Sequence, residues 1–177
     1  MRASAFLATS LDGFIAREDG GVDWLSGYEP SAAEDYGFGA FLKTVDAIVM
    51  GRHTYETVLA LGHWYYGQTP LVVLSTRELA IPERLAATVE HWSGTPAEVV
   101  SRLAARDALH LYVDGGLTIQ SFLRDGLIHR MVITRIPVLL GKGIPLFGEL
   151  QHDVQLRHVD TRTFANGLVQ SEYEVVR

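Results

Sequence analysis

The sequence contains no cysteine. That absence excludes disulfide frameworks, thiolate-ligated zinc and cysteine nucleophiles together, and leaves a reducing, cytoplasmic setting as the expectation. Positive charge is in deficit, with 15 Lys and Arg against 21 Asp and Glu and a formal net charge of -6. A net acidic surface attracts neither nucleic acid nor an anionic membrane, so neither is expected as a partner, and any phosphate must be captured locally. No apolar run approaches the length of a membrane span. The opening Met1-Arg2-Ala3-Ser4-Ala5-Phe6-Leu7-Ala8 soon meets Asp12 and Gly13, which suits a first strand better than a signal peptide. The histidines (His53, His63, His91, His110, His129, His152 and His158) are scattered without any metal-ligand spacing, and no metal is expected. A G-x-S-x-G elbow, a Walker loop and a G-x-G-x-x-G fingerprint are also missing.

What is present is enough apolar material for one core. At 177 residues and 47% hydrophobic content, residues 1–177 are expected to form a single domain, without repeats or linkers. Short β-branched or apolar runs recur at Ala3 to Ala8, Ala47 to Met50, Leu71 to Leu74, Thr88 to Trp92, Leu109 to Val113 and Met131 to Leu140, the last with Pro137 inside. Several are apolar almost throughout, as strands covered on both faces must be. Helical stretches lie between them, at roughly Ala32 to Lys43, Thr54 to Leu61, Pro96 to Ala105 and Thr118 to Arg124. This alternation predicts an α/β fold of three layers, αβα, with a mainly parallel central sheet and helices on both faces. Near the end, Val154 to Phe164 and Leu168 to Val176 flank Asn166-Gly167, the dipeptide best suited to a tight turn, so a C-terminal antiparallel hairpin is expected.

Ligands of an open α/β sheet bind beyond the carboxyl ends of its strands, where helix N-termini and backbone N–H groups meet anions. Three segments suit that place. In the first, the strand before Gly51 runs directly into a helix that opens Arg52-His53-Thr54; Gly51 permits close approach, Arg52 brings a cation and Thr54 a hydroxyl. The second strand ends in Ser75-Thr76-Arg77, two hydroxyls and a guanidinium suited to a monophosphate such as the ribose 2′-phosphate of NADPH. In the third, Gly115-Gly116-Leu117-Thr118 joins a strand to a helix through a diglycine that can lie against a pyrophosphate. Taken one at a time, each also reads as an ordinary turn or helix start.

In combination and order the segments carry a resemblance. Val49-Met50-Gly51-Arg52-His53-Thr54-Tyr55-Glu56 resembles the Met-Gly-Arg-x-Thr-aromatic-Glu segment of dihydrofolate reductases, followed by a strand ending in Leu-Ser and later by Gly-Gly. Ser10-Leu11-Asp12-Gly13-Phe14-Ile15-Ala16 resembles the opening motif of the reductase domain of the riboflavin enzyme RibD and its stand-alone relatives, and Pro137 to Phe147 resembles their late Pro-x-x-x-Gly-x-Gly-x-Pro-Leu-Phe segment. The chain is thus similar to the RibD-like branch of the dihydrofolate-reductase-like superfamily from about Ala3 to Phe147. The resemblance implies NADPH binding by Arg52, His53, Thr54, Ser75, Thr76, Arg77, Gly115, Gly116, Leu117 and Thr118. It also implies a homodimer. The expected activity is hydride transfer from NADPH to a C=N or C=O bond of a small heterocycle, either pterin- or folate-like or similar to 5-amino-6-(5-phosphoribosylamino)uracil. The alternative is a dinucleotide-binding module of the same fold that has lost turnover. The zinc deaminase partner of bifunctional RibD needs cysteine ligands and cannot lie in this chain.

A proton donor is also expected, and the candidates are Asp12, Asp23, Glu34 and Asp35 in the polar region after the first strand. Asp35 precedes Met50 by the spacing at which folate reductases carry their catalytic acid, although Glu34 and Asp35 also read as first-turn acids favouring a helix dipole. By resemblance Asp12 sits beside substrate and nicotinamide, whereas Asp-Gly is also a common turn pair. Trp24 resembles the tryptophan of the folate reductase active-site loop and is the other substrate-binding candidate. It lies farther from Asp35 than in that family, which puts folate specificity in doubt. Arg17, Arg135 and Lys142 are the cations considered for a substrate phosphate. His63-Trp64-Tyr65-Tyr66 reads either as a pocket wall or as a satellite core or subunit contact.

Overall fold

A computed structural model describes residues 1–28 and 34–176. Its sheet is built from strands that are apolar on both faces because two separate cores need them. In β3 (Ala47–Gly51), Ala47 and Val49 enter one core while Ile48 and Met50 enter the other. β1 (Arg2–Ser10), β4 (Leu71–Leu74) and β6 (His110–Asp114) divide their side chains in the same way, following the two-residue period of a strand. With β5 (Val89–Trp92), β7 (Arg130–Ile136), β9 (Leu156–Thr163) and β10 (Val169–Val175) they form one eight-stranded sheet of order β5-β4-β3-β6-β1-β7-β10-β9. All neighbours pair in parallel except β10, which runs antiparallel to both β7 and β9. The hairpin therefore extends one edge of the sheet, and all eight residues of β9 are exposed.

Helices cover both faces, as the sequence predicts. α1 (Phe38–Leu42) and α2 (Arg52–Ala60) supply Phe41, Tyr55 and Val58 to one core. α3 (Pro96–Ala104) and α4 (Gly116–Arg124) supply Val99, Leu103, Ile119, Phe122 and Leu123 to the other. α3 begins with a capping box, Thr95 accepting from the Glu98 amide while the Glu98 carboxylate accepts from the Thr95 amide, a device contributing about 1 kcal/mol. No helix among the described residues is long and apolar enough to cross a membrane.

Three expectations change. α1 starts only at Phe38, because Tyr36 (φ 55) and Gly37 (φ 83) are left-handed and Asp35 turns its carboxylate onto the Gly37 and Gly39 amides; the Ala32 end of the expected helix lies outside the described residues. β7 stops at Ile136, one residue before Pro137, which has no N–H to give a ladder. The segment beyond it forms a second sheet, in which β2 (Phe14–Ala16) pairs antiparallel with β8 (Ile144–Pro145).

Candidate functional site

β3 and β6 are parallel neighbours, with Met50 opposite Asp114, and each runs straight into a helix. From β3 the chain crosses through α2 to β4 on one side; from β6 it crosses through α4 to β7 on the other, and the two helices occupy opposite faces. The gap between these strand ends is therefore the topological switch point, where a crevice opens in an α/β sheet.

Both helices begin there on glycine, Gly51 for α2 and Gly115 for α4, and neither start carries a side-chain cap. The first amides of each helix, those of Arg52, His53 and Thr54 and of Gly116, Leu117 and Thr118, lack intrahelical acceptors and point at the gap with the positive ends of two dipoles. Each glycine packs against a hydroxyl from the opposite helix, Gly115 too closely to admit a Cβ. A Cβ on Gly115 would stand 2.2 Å from Thr54 Oγ1, and one on Gly51 would stand 3.0 Å from Thr118 Oγ1. Gly115 also holds φ +87, a region open to glycine and costly for other residues. Arg52 lies against Glu56 at 3.4 Å and is largely buried, while His53 is exposed. Ser75, at the end of β4, closes a tight turn: its hydroxyl donates to the Arg77 carbonyl at 2.9 Å and accepts from the Arg77 amide at 3.0 Å. This leaves Thr76 and Arg77 exposed beside the switch point. The three segments read from the sequence are thus brought to adjacent strand ends.

The acids expected to give a proton are differently employed. Both oxygens of Asp35 accept backbone amides, those of Gly37 and Gly39, each at 2.9 Å. Asp12 accepts from the Ser10 hydroxyl at 2.6 Å, from the Leu140 amide at 3.2 Å and from the Gly141 amide at 2.8 Å. Its pKa is lowered, first by the Ser10 hydrogen bond. Trp24 is buried in a short 3-10 turn, Asp23–Leu25, against Ile136 and Leu168, with Val138 and Leu140 packed on the same cluster; its indole N–H has no partner among the described residues. Asp23 is ion-paired with Arg17 at 2.6 Å, and Lys142 with Glu18 at 2.9 Å, both at the surface.

The acid that the sequence reading overlooked is Asp114, the last residue of β6. It sits opposite Met50 at the switch point, next to Gly115. Oδ2 accepts the Tyr66 hydroxyl at 2.9 Å and Oδ1 the Gly115 amide at 2.8 Å. Burial pushes its pKa up, opposed by the donors that face it, Tyr66 foremost. Burial likewise raises the Tyr66 and Tyr112 phenols well above their usual value, so both remain neutral donors. Tyr66 belongs to the aromatic run after α2. It packs edge-on against Trp64 and Phe38, with Tyr112 and Phe41 continuing the cluster toward Phe6 on β1. The only sequence signal for this acid is its place before the diglycine. Among the described residues no cluster of His, Asp or Glu could hold a metal ion.

A cavity of 230 Å³ also opens beside α1, lined among others by Phe6, Phe41, Arg130, Gln170 and Glu172. None of the candidate residues lines it, and its Arg130 is already engaged by Glu172 through two hydrogen bonds.

Comparison with known proteins agrees with this arrangement. Residues 4–170 match the RibD C-terminal domain family. The chain is 36% identical over 171 residues to the protein YwjB of Bacillus subtilis (strain 168), covering 95% of this chain and 94% of that one. A crystal structure from Shewanella sp. PV-4, provisionally named a riboflavin biosynthesis protein, superposes with a TM-score of 0.92 at 39% identity, over 100% of both chains. Dihydrofolate reductase from Enterococcus faecalis, solved with NADP(H), shares the fold at a TM-score of 0.67 and 16% identity, covering 99% of this chain and 97% of that one. Two uncapped helix starts at the switch point, a family match across nearly the whole chain and a dihydrofolate-reductase-like sheet lead to one assignment: the chain belongs to the RibD C-terminal domain family.

Proposed function

We propose that this protein is an NADPH-dependent reductase that delivers a hydride to a C=N or C=O bond of a small, flat heterocycle. The observation that carries the reading is the pair of uncapped helix N-termini at the switch point with the half-buried carboxyl of Asp114 beside them. Gly51, Gly115 and Gly116 let the two helix starts pack closely, since Cβ atoms there would strike Thr118, Thr54 and Ile15, and this packing holds the Thr54 and Thr118 hydroxyls at the switch point. The amides of Gly116, Leu117 and Thr118 would hold pyrophosphate oxygens, and Arg52 with the His53 and Thr54 amides would hold the adjoining phosphate. Thr76 and Arg77 would receive the 2′-phosphate. NADPH supplies the hydride when bound. The chain's own part is to orient the two rings, exclude water and manage one proton.

Asp114 is the group suited to the proton. A carboxyl whose pKa is raised by burial can keep its proton closer to neutrality and place it on a ring nitrogen or carbonyl oxygen. A binding module without turnover has no need of such an acid, which favours the enzyme reading. Of the cations considered for a substrate phosphate, Arg17 and Lys142 are each ion-paired with a carboxylate, so a phosphate would have to displace Asp23 or Glu18. The exposed edge of β9 offers a surface for the homodimer expected of this family.

The test is a fluorescence titration with NADPH and with NADH, repeated on Arg77→Ala and Arg52→Ala. NADPH-selective binding that weakens by about tenfold or more in either variant supports the site. It is then followed by a screen of pterins and aminopyrimidines for NADPH consumption. Failure to bind either nucleotide overturns the reading.

A further inference from the structure

We propose that Asp12 is a positioning residue, the clasp that holds the β2–β8 flap over the first turn of α4. The purpose of the flap rests on the dinucleotide reading above; the clasp itself rests on contacts. Three donors from two distant segments converge on one carboxylate. The Ser10 hydroxyl sits on the last residue of β1 and the carboxylate in the turn that follows, while the Leu140 and Gly141 amides belong to the loop after β7. Ser10 is fully buried and its oxygen also accepts the Phe14 amide, so the clasp is anchored in the body of the protein.

Beyond the end of the β1–β7 ladder, the two segments are joined around this clasp by a few backbone hydrogen bonds and the surface ion pair of Lys142 with Glu18. The Leu11 amide donates to the Val138 carbonyl at 2.8 Å and the Leu146 amide to the Gly13 carbonyl at 3.0 Å. β2 and β8 have only three and two residues, a ladder too short to hold by itself. A Cβ on Gly143 would stand 2.3 Å from the Ala16 carbonyl oxygen, and Gly141 holds φ +76, so the loop meets its partner along bare backbone. The product of this docking is the place of Ile15. Its Cδ1 lies 2.4 Å from where a Gly116 Cβ would stand, directly on the first turn of α4. Gln120, one turn further along, donates to the Pro145 carbonyl at 3.0 Å and secures the β8 side. The flap therefore roofs the helix start with an apolar side chain.

A carboxylate that accepts three hydrogen bonds is stabilised in its charged form and makes a poor acid, which separates Asp12 from the proton-donor role. Asn at this position cannot reproduce the clasp. Its NH2 group would replace either Oδ1, facing the Ser10 hydroxyl and the Leu140 amide, or Oδ2, facing the Gly141 amide.

The test is amide hydrogen exchange on the protein without added nucleotide, comparing wild type, Asp12→Asn and Ser10→Ala, together with NADPH affinity and the pH profile of turnover. The clasp predicts exchange about tenfold faster in segments 11–16 and 138–146 of Asp12→Asn, a smaller change of the same sign in Ser10→Ala, and unchanged protection in β3 and β6. NADPH affinity falls by about fivefold or more, and the remaining turnover keeps the wild-type pH profile. Unchanged exchange in both segments overturns the clasp, and if the acid limb of the profile also disappears in Asp12→Asn, Asp12 is the acid instead. Should the wild type bind no NADPH, the exchange result still decides the clasp while the reductase reading fails by itself.

Discussion

The Tyr66 hydroxyl donates to Asp114 Oδ2 at 2.9 Å across 48 positions of sequence. This bond ties the aromatic run after α2 to the end of β6 and controls how readily Asp114 holds a proton. Asp114→Asn is expected to lower kcat/KM by roughly a hundredfold or more, the ordinary scale for losing a general acid, and to leave stability at neutral pH unchanged or improved. The sign follows from linkage. The folded state binds the Asp114 proton more tightly than the unfolded state, so stability falls as pH rises from the unfolded value through the folded one, and the neutral amide escapes that loss. Tyr66→Phe removes the foremost opposing donor and moves the Asp114 pKa further up. Turnover that needs the protonated acid then persists to higher pH, a shift read directly from the pH–rate profile.

Gly115→Ala forces a Cβ to within 2.2 Å of Thr54 Oγ1 at φ +87. This positive-φ, extended backbone (ψ 136) alone costs about 1–3 kcal/mol, and nucleotide affinity should drop because the start of α4 shifts. Adding Thr54→Ala removes the colliding oxygen. The double variant is expected to recover part of the lost stability, and a double-mutant cycle on urea midpoints measures the coupling. Simple additivity would show that the two residues do not touch.

The Tyr55 hydroxyl is fully buried in the α2 core without a hydrogen-bond partner among the described residues. An unsatisfied buried hydroxyl costs about 1–3 kcal/mol. Tyr55→Phe, which keeps the ring and its edge-on contact with Trp64, should therefore be neutral or raise Tm by a few degrees. A clear fall in Tm would mean that the hydroxyl is bonded in solution.

His110 gives the protein an acid sensitivity above the carboxylate range. Burial lowers its pKa from the ordinary value of 6.5. Its Nδ1 sits 2.8 Å from the Thr44 carbonyl and its Nε2 2.8 Å from Ser4 Oγ, the contacts of a neutral ring that donates at Nδ1 and accepts at Nε2. The unfolded chain binds the His110 proton more tightly, so stability is lost as pH falls below about 6.5 toward the folded pKa. Urea midpoints between pH 8 and 5 should show this decline, and His110→Gln should flatten it even though its overall stability is lower.

The strands and turns of the fold were legible because their causes are local. Residues 47 to 50 are apolar at every position, which only a strand between two cores requires, and Asn166-Gly167 marks a turn whose Gly167 adopts φ +87. The limits of α1 were not legible, since they depend on where Asp35 turns its carboxylate and on two left-handed residues in succession. The candidate site divides in the same way. Arg52, Thr54, Gly115 and Thr118 were singled out because strand-glycine-helix junctions are written in consecutive residues, and Ser75 and Arg77 because they directly follow an apolar strand.

By itself, the sequence determined the alternation of strands and helices, the three strand ends that lie together around the switch point and the family to which the chain belongs, because each is encoded in contiguous residues whose spacing and chemistry act locally. Only the tertiary structure decided which acid is half-buried at the switch point with its pKa raised and which is exposed with its pKa lowered. Asp114 owes its raised pKa to burial beside Tyr66, brought from 48 positions away. Asp12 owes its ionised state to Ser10 and to amides 128 and 129 positions distant. Protonation is set by the donors and the solvent around a group, and those are assembled only when the chain folds.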